Sequence, residues 1–350
     1  MSLASQANSR TGGQGSRVRI PDRRPSRNAS REQMIRKIKD LSNVSNVVVG
    51  PEGDDQRVDN FLLRQCKGVP RSHIYRILRT GEVRVNSRRI DATHRLREGD
   101  RVRIPPVRLP ETAAAGKPRA RPIELPVAFE DEALLVVDKP SGMAVHGGSG
   151  ISFGVIESMR AARSGLRFLE LVHRLDRDTS GLLMLAKKRS ALTRLHAALR
   201  EGRVQKRYLA LVKGDFGGSA RDIELPLRKY LTQAGERRVS VDREGREART
   251  VFRREQAFSG FTLLSAELHT GRTHQIRVHL MHLGFPIAGD DKYGDFELNR
   301  ELAKRGLKRM FLHAAELRFV HPATGAEVAL RAPLPPELDA FIRALERRQD

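Results

Sequence analysis

The sequence has few of the residues on which secreted, metal-bound or membrane proteins depend. Its 350 residues include one cysteine, Cys66, so an internal disulfide and a cysteine-rich zinc site are both excluded. No apolar run approaches the roughly 18 to 20 residues of a membrane span. The N-terminus is polar and Arg-rich and has no apolar signal core. We therefore expect a cytoplasmic protein without a membrane partner or a metal.

Aromatic and acidic residues are also scarce. There is no tryptophan and the aromatic content is 5%, which argues against a base-stacking platform for long single strands. Lysine and arginine number 65 against 42 acidic residues, a formal charge of +23. Such a surface attracts polyanions by releasing their counterions. An Arg-rich tail alone is the other explanation, but the positive excess continues well past the tail, so nucleic acid is the favoured partner.

Composition divides the chain into four segments. Residues 1–53 are rich in Ser, Gly, Asn and Arg, which indicates a disordered Arg-rich tail in which only "NVVVG" looks ordered. Residues 57–105 read as a small folded domain. Residues 106–122 are dense in Pro and Ala and are typical of a linker. Residues 123–350 form the larger domain.

The small domain combines two short helical patterns with later strands. Apolar residues recur at helical spacing in residues 58–62 and 74–78. The strands "VRV" and "DRVRI" alternate, which predicts that their arginines point outward. Further arginines would share the exposed surface and contact RNA: Arg71, Arg76, Arg79, Arg88 and Arg89. The alternative is a helical adaptor with a solvated basic face.

The larger domain contains mostly short, strand-like apolar segments. Examples are "LLVVDKP", "LLMLAKK" and "YLALVKG", separated by a few helical stretches such as "SALTRLHAALREG" and "HQIRVHLMHLG". A doubly wound parallel sheet would need regular alternation of strands and helices, which is not present. We therefore predict an α+β fold with a mixed, mainly antiparallel sheet.

The stretch "LVHRLDRDTSGLLMLAKK" places two aspartates in a polar turn between two apolar runs. One carboxylate, of Asp176 or Asp178, suffices to cap the turn by accepting backbone N–H groups. The other needs a separate reason to stand beside Arg174 and Arg177. A carboxylate among guanidinium groups stays ionised and is ready to act as a nucleophile or base.

A second polar motif, "LHTGRTHQIRVHLMHLG", follows a strand with a Gly turn and a helix that opens at about Thr273. Arg277 is the arginine expected to point inward, and a buried arginine requires an anion. The histidines His274, His279 and His282 lack the acidic partner of a metal site. We expect them to cover the helix surface or to contact phosphate.

Five motifs in this order resemble those of one enzyme family: "VVDKPSGMAVHGG", "HRLDRDTSG", "KRYLALVKG", "TGRTHQIRVH" and "FLHAAELRFVHP". From about Arg57 to its end, the chain resembles the large-subunit ribosomal pseudouridine synthases of bacteria. Residues 57–105 resemble the small αL RNA-binding module of such proteins. The resemblance implies a pseudouridine synthase fold with a central active-site cleft. It also implies isomerisation of specific uridines to pseudouridine in 23S ribosomal RNA of the large subunit, without a cofactor.

The resemblance also implies roles for individual residues. Asp176 matches the catalytic aspartate, which leaves Asp178 to stabilise the turn. Tyr208 is expected to pack on the uracil face and to help remove the ring proton. Arg277 is expected to pair with Asp176. Four more residues are expected at the substrate: His173, Arg174, Ile276 and Leu312.

Arg174 is the candidate to occupy the space left by the target nucleotide, because a base in a helix must be extruded before it can react. Two other functions are open. A noncatalytic RNA-binding factor of ribosome assembly would use only the basic surface. A glycosidase would need two convergent carboxylates, and residues two apart in a tight turn do not generally converge on one bond. Nothing in the sequence demands more than a monomer.

Overall fold

The computed structural model describes residues 43–66, 68–107, 120–148, 153–233 and 235–347. The chain divides into two compact units, Met1–Ala113 and Ala114–Asp350. The predicted tail up to residue 42 and residues 108–119 of the predicted linker lie outside the described residues. Among the helices that are described, none is long and apolar enough to cross a membrane.

The first unit packs two helices against a small antiparallel sheet. The helices are α1 (Val58–Gln65) and α2 (Arg71–Arg79), and a short 3-10 turn covers Pro51–Gly53. The strands, in their order across the sheet, are β1 (Ser45–Val48), β4 (Arg101–Ile104), β2 (Arg84–Val85) and β3 (Arg88–Arg89).

The core of this unit confirms both predicted helical faces. Phe61 and Leu62 of α1 are buried against Ile74 and Ile77 of α2. Strand β4 alternates between exposed arginines and buried aliphatic residues, as predicted. One boundary needs correction. Strand β1 pairs along its length with β4, so the unit begins before residue 57, and the end of the predicted tail belongs to the folded sheet.

The second unit is built on a ten-stranded sheet, and the predicted mixed, mainly antiparallel α+β fold is confirmed. Among the strand pairs of the described residues in this unit, all are antiparallel except β8 with β15, which run parallel. The main path through the sheet is β10 (Ala220–Glu224), β13 (Arg249–Phe258), β14 (Phe261–Leu268), β9 (Gln205–Lys213), β15 (Leu312–Val320), β8 (Ser180–Ala186), β6 (Leu134–Lys139) and β5 (Val127–Glu130). Strand β7 (Glu170–Leu171) pairs with β8, and β16 (Glu327–Arg331) pairs with β15.

Helices and one separate hairpin complete the second unit. The hairpin joins β11 (Leu227–Leu231) to β12 (Arg237–Val241). The helices are α3 (Val155–Ala162), α4 (Arg189–Arg200), α5 (Gln275–His282), α6 (Phe296–Lys304) and α7 (Pro336–Glu346). Helices α4 and α5 confirm the two helical stretches read from the sequence. Strand β8 is buried throughout and contributes to apolar clusters on both of its faces, so it is central to the core.

The apolar run before the polar turn contributes only the two-residue strand β7, and His173 explains why. The N–H of Val172 still donates to the Met184 carbonyl of β8. At the next position, the His173 ring nitrogen Nε2 accepts the N–H of Met184, 3.1 Å away. The side chain thus replaces the backbone acceptor, the ladder ends, and the chain is free to form the polar turn.

Gly181 fixes where that turn returns to the sheet. Its φ is 108°, and an added Cβ would lie 2.3 Å from the Ala314 carbonyl oxygen of the parallel strand β15. Only glycine permits both this backbone conformation and this approach. The loop of residues 172–179 therefore ends at a fixed position beside β15.

Candidate active site

A cavity of about 450 Å³ opens in the second unit, between the 172–179 loop, β9, the end of β14 and the start of α5. All seven residues predicted from the resemblance to act in catalysis or at the substrate line it: His173, Arg174, Asp176, Tyr208, Ile276, Arg277 and Leu312. They come from four separate parts of the chain. The fold therefore brings together the residues that the motifs singled out.

Asp176 and Arg277 form an ion pair at the base of this cavity. Arg277 Nη1 donates to Asp176 Oδ2 over 3.2 Å, although the two residues are 101 positions apart in the chain. The arginine side chain is 4% exposed and the aspartate side chain 20%. The guanidinium is thus enclosed by protein, whereas the carboxylate can be reached from the cavity.

The principal anion for Arg277 is Asp290, a residue that was not identified from the sequence. Arg277 Nε and Nη2 each donate to one Asp290 carboxylate oxygen over 2.7 Å. The Asp290 side chain is 1% exposed. Its Oδ1 also accepts the N–H groups of Lys292 and Tyr293. Asp290 therefore accepts two hydrogen bonds from the guanidinium, and Asp176 accepts only one.

Both members of this buried pair remain charged. Burial opposes the charge of Arg277, but the hydrogen bonds and charge of Asp290, with a smaller contribution from Asp176, raise its pKa. Burial likewise opposes the charge of Asp290, but the Arg277 hydrogen bonds and charge, together with the two backbone N–H groups, lower its pKa. A paired and hydrogen-bonded charge of this kind withstands burial. The cavity therefore has a permanent cation beside Asp176.

Tyr208 lies on β9 and is 6% exposed. Burial, and secondarily the charge of Asp176, raises the pKa of the Tyr208 hydroxyl. The phenol is therefore protonated at neutral pH. This favours the first of its two expected roles, packing on the base, over the second, removal of a ring proton, which would need the phenolate.

The remaining predicted residues form an apolar wall and a polar edge. Ile276 and Leu312 are buried and face the cavity. Burial lowers the pKa of His173 to about 4, so its ring is neutral and acts as the acceptor for Met184. Arg174 is exposed at the cavity edge and forms no ion pair with any residue in the described ranges. Its guanidinium is available to a ligand.

The loop that carries Asp176 is held from behind through its carbonyl groups. Lys139 is fully buried and its ammonium donates to the carbonyls of Pro140, Met143 and Arg177. Ser141 Oγ donates to the Asp178 carbonyl over 2.8 Å. The expectation that the Asp178 carboxylate caps the turn is wrong in detail, because that carboxylate pairs with the Arg177 guanidinium. The backbone carbonyl of Asp178 anchors the turn instead.

Of the histidines at α5, His282 is exposed on the helix surface, as expected, whereas His279 is not. His279 is fully buried between Thr250 Oγ1 and the Leu225 carbonyl. His274 lines the cavity, as does Lys206, which the sequence interpretation had not singled out. Lys206 and Tyr208 are two residues apart on β9, and residues two apart in a strand face the same side. Strand alternation could therefore have placed Lys206 on the cavity face beside Tyr208.

The five arginines predicted to contact RNA in the first unit are all exposed. Arg71, Arg76 and Arg79 lie on α2. Arg88 and Arg89 form β3, and the Arg89 side chain donates to the Arg79 carbonyl, so helix and strand share one basic surface. This surface contains the cations that phosphate binding requires.

Comparison with known proteins identifies both units. A sequence profile for RNA pseudouridylate synthase matches residues 133–282, and one for the S4 domain matches residues 56–102. The fold of human RNA Pseudouridylate Synthase Domain Containing 4 is similar, with a TM-score of 0.53 and 24% identity over 63% of this chain and 93% of that one. Human RNA Pseudouridylate Synthase Domain Containing 1 gives 0.52 and 27%, over 64% and 95%.

The chain belongs to the RNA pseudouridine synthase family, so it is an isomerase that acts on RNA and carries an S4 RNA-binding domain. Its curated relatives include proteins named ribosomal large subunit pseudouridine synthase C. The Yersinia pestis protein is 52% identical over 86% of this chain and 95% of its own length. The Escherichia coli K12 protein is 52% identical over 85% and 96%.

Proposed function

We propose that the protein isomerises specific uridines to pseudouridine in the 23S RNA of the large ribosomal subunit. The relatives that share half of its sequence are named for that subunit. The observation that carries the chemistry is the reachable Asp176 carboxylate beside the enclosed Arg277 cation. A carboxylate in this setting is suited to attack the sugar, add to the base or remove a sugar proton.

Other side chains of the cavity have matching roles in this proposal. Tyr208, Ile276 and Leu312 surround the uracil ring, and the neutral His173 ring holds the loop against β8. Arg174 enters the RNA helix and replaces the extruded nucleotide. Extrusion costs a few kcal/mol of stacking and pairing, which a cation inserted among the bases and phosphates helps to offset. No step requires a metal or an organic cofactor.

In the same proposal, residues 57–105, extended upstream by β1, bind RNA through Arg71, Arg76, Arg79, Arg88 and Arg89. Residues 106–122 serve as the linker and residues 123–350 as the catalytic domain. We also infer that the protein acts in the cytoplasm, where ribosomal RNA is found, and as a monomer.

The two other candidate functions fit the site less well. A noncatalytic assembly factor has no use for a buried guanidinium held beside a reachable carboxylate. A glycosidase would need Asp178 as the second carboxylate. That carboxylate contacts Arg177 and is not among the residues that line the cavity.

Asp176→Asn tests the proposal directly. Fragments of 23S RNA labelled with tritium at uracil carbon 5 should release tritium to water with the natural protein and none with the variant. The amide keeps the shape of the side chain but is neither a nucleophile nor a base. RNA affinity and the thermal midpoint of unfolding should change little.

Asp178→Asn is the matched control, since it changes the same chemical group two residues away and outside the cavity. It should retain most of the tritium release. An active Asp176→Asn enzyme would refute the assignment of the catalytic group. An inactive Asp178→Asn enzyme that folds normally would show that the other aspartate is the catalytic one.

A further inference from the structure

His274 has an unusual backbone conformation at the edge of the cavity. It immediately precedes α5 and has φ 55° and ψ 22°, in the left-handed region. Residues with a side chain occupy that region at a cost in free energy, and such conformations concentrate at functional sites. Here the conformation brings the ring to the side of Asp176 that Arg277 does not occupy.

The ring nitrogens of His274 contact two different groups. Nδ1 lies 2.8 Å from the hydroxyl of Tyr293. Nε2 lies 3.9 Å from Asp176 Oδ1, whereas Arg277 donates to Oδ2 of the same carboxylate. Each carboxylate oxygen of Asp176 thus has its own neighbouring nitrogen.

A backbone N–H of the β11–β12 hairpin favours donation of the Tyr293 hydroxyl proton towards the His274 ring. The N–H of Val239 in β12 donates to the Tyr293 hydroxyl oxygen over 3.0 Å. Tyr293 can then donate its own proton to His274 Nδ1, which leaves the ring proton on Nε2, facing Asp176. Burial lowers the pKa of His274, so the ring is neutral and carries one proton.

Tyr293 also contacts the cation of the pair. Its ring centroid lies 5.1 Å from the centre of the Arg277 guanidinium, and its ring meets the His274 ring edge to face at 5.4 Å. The Tyr293 ring and its hydroxyl therefore support both nitrogen groups that flank Asp176. The mechanism described above uses neither His274 nor Tyr293.

We infer that His274 is a positioning residue for Asp176 and that Tyr293 sets its tautomer. The Nε2–H of His274 faces Asp176 Oδ1 over 3.9 Å, an electrostatic contact and not a hydrogen bond, while the Arg277 guanidinium donates to Oδ2. Together the two groups favour one rotation of the carboxylate, which directs it at the reacting nucleotide. This inference rests on the proposed function, because it assigns the orientation of the same catalytic group.

Tyr293→Phe tests the inference with the smallest change. The variant keeps the ring against Arg277 and removes only the hydroxyl. We expect kcat for tritium release to fall about tenfold or more, with KM and RNA affinity within about twofold, because orientation acts on the chemical step. Tyr230→Phe is the control, since Tyr230 is exposed on the hairpin strand β11 and does not line the cavity.

Two variants at position 274 supply an independent measurement. His274→Asn tolerates the left-handed backbone and keeps a polar group near Tyr293, but it has no donor at the position of Nε2. It should lose as much kcat as Tyr293→Phe. The longer side chain of His274→Gln places an amide N–H near the position of Nε2. This variant should recover part of the kcat that His274→Asn loses.

Nitrogen-15 NMR of histidine-labelled protein reports the tautomer itself. We expect the His274 signals, assigned by their loss in His274→Asn, to show the proton on Nε2 and to change in Tyr293→Phe but not in Tyr230→Phe. A proton on Nδ1, or wild-type kcat in both Tyr293→Phe and His274→Asn, would overturn the inference. Failure of the unmodified protein to release tritium from any 23S fragment would instead overturn the proposed function.

Discussion

Two aspartates share Arg277, and their different contacts give them different tasks. Asp290 forms two parallel hydrogen bonds to the guanidinium and accepts two backbone N–H groups, so its lone pairs are in use. Asp176 has a single hydrogen bond to the guanidinium, and its side chain is partly open to the cavity. Asp290 neutralises the buried cation, which leaves Asp176 free to react.

Asp290→Asn should therefore destabilise the protein more than its small size change suggests. The variant leaves the Arg277 charge buried with only the partly exposed Asp176 and the exposed Asp291 near it, and breaking a buried ion pair costs about 3 to 5 kcal/mol. We expect that loss in the free energy of unfolding measured with urea, together with strongly reduced tritium release.

Asp291→Asn is the control at the next position. Its carboxylate is 71% exposed and lies 3.8 Å from Arg277. An exposed pair contributes about 0 to 1 kcal/mol, so this variant should be close to the natural protein. Equal effects of the two substitutions would contradict the division of tasks between Asp290 and Asp176.

At the level of residues, the sequence motifs located the groups that face the cavity but not those that support them. Asp176, Tyr208 and Arg277 could be identified because each stands in a motif that resembles one of the family's motifs. Asp290 could not, because the need of a buried arginine for an anion does not say which carboxylate supplies it. His274 was expected on the helix surface or at phosphate, because periodicity cannot show a left-handed residue that turns the chain before the helix begins.

The 172–179 loop, which carries Asp176, ends at a short parallel contact between β8 and β15. Ser180 pairs with His313 and Gly181 pairs with Ala314, where β8 and β15 meet. Ser180 Oγ and His313 Nδ1 are 2.9 Å apart, which adds a buried side-chain contact at this junction. Asp176 lies four residues before this junction. The close approach of the two strands therefore fixes its position.

Gly181→Ala tests this junction. The added methyl group would lie 2.3 Å from the Ala314 carbonyl oxygen in a backbone conformation that alanine disfavours, so β8 and β15 would have to separate. We expect a loss of about 3 kcal/mol or more in the free energy of unfolding and lower kcat. Circular dichroism during urea titration and the tritium assay measure the two effects.

Gly202→Ala provides the comparison. Gly202 also has a positive φ, of 70°, but no atom lies within 4 Å of the added Cβ. Only the backbone cost of about 1 kcal/mol should appear. If Gly181→Ala cost no more than Gly202→Ala, the close approach of β15 would not be what fixes the loop.

At the level of elements, the sheet type and helices α4 and α5 were predictable because their patterns are long and regular. The parallel contact between β8 and β15 was not, since strand periodicity gives a face and not a partner. The length of β7 also escaped prediction, because a side chain of His173 ends the ladder where the apolar pattern continues.

For the molecule as a whole, the charge of +23 should appear as a strong salt dependence of RNA binding. Replacing Arg71, Arg76 and Arg79 with Gln should lower the slope of log affinity against log salt by about 0.7 to 0.9 for each phosphate that the variant no longer neutralises. At saturating RNA, kcat should stay unchanged. Filter binding at several salt concentrations gives the slope.

Arg300→Gln controls for the loss of charge alone. Arg300 is 72% exposed on α6 of the catalytic unit, with Glu297 3.8 Å away. It should leave the slope nearly unchanged. An equal decrease per substitution at both places would mean that net charge, and not the surface of α2, determines RNA binding.

The long sequence separation across the active site has a consequence for synthesis of the chain. Arg277 reaches Asp176 across 101 residues, and His313 reaches Ser180 across 133. Contacts this distant in sequence form late in folding, after local structure. A nascent chain on the ribosome that has exposed the motif with Asp176 still lacks the guanidinium beside it and the strand that fixes its loop. We therefore expect the proposed active site to form only when most of the chain has emerged, and a chain that ends before β15 to have no modification activity.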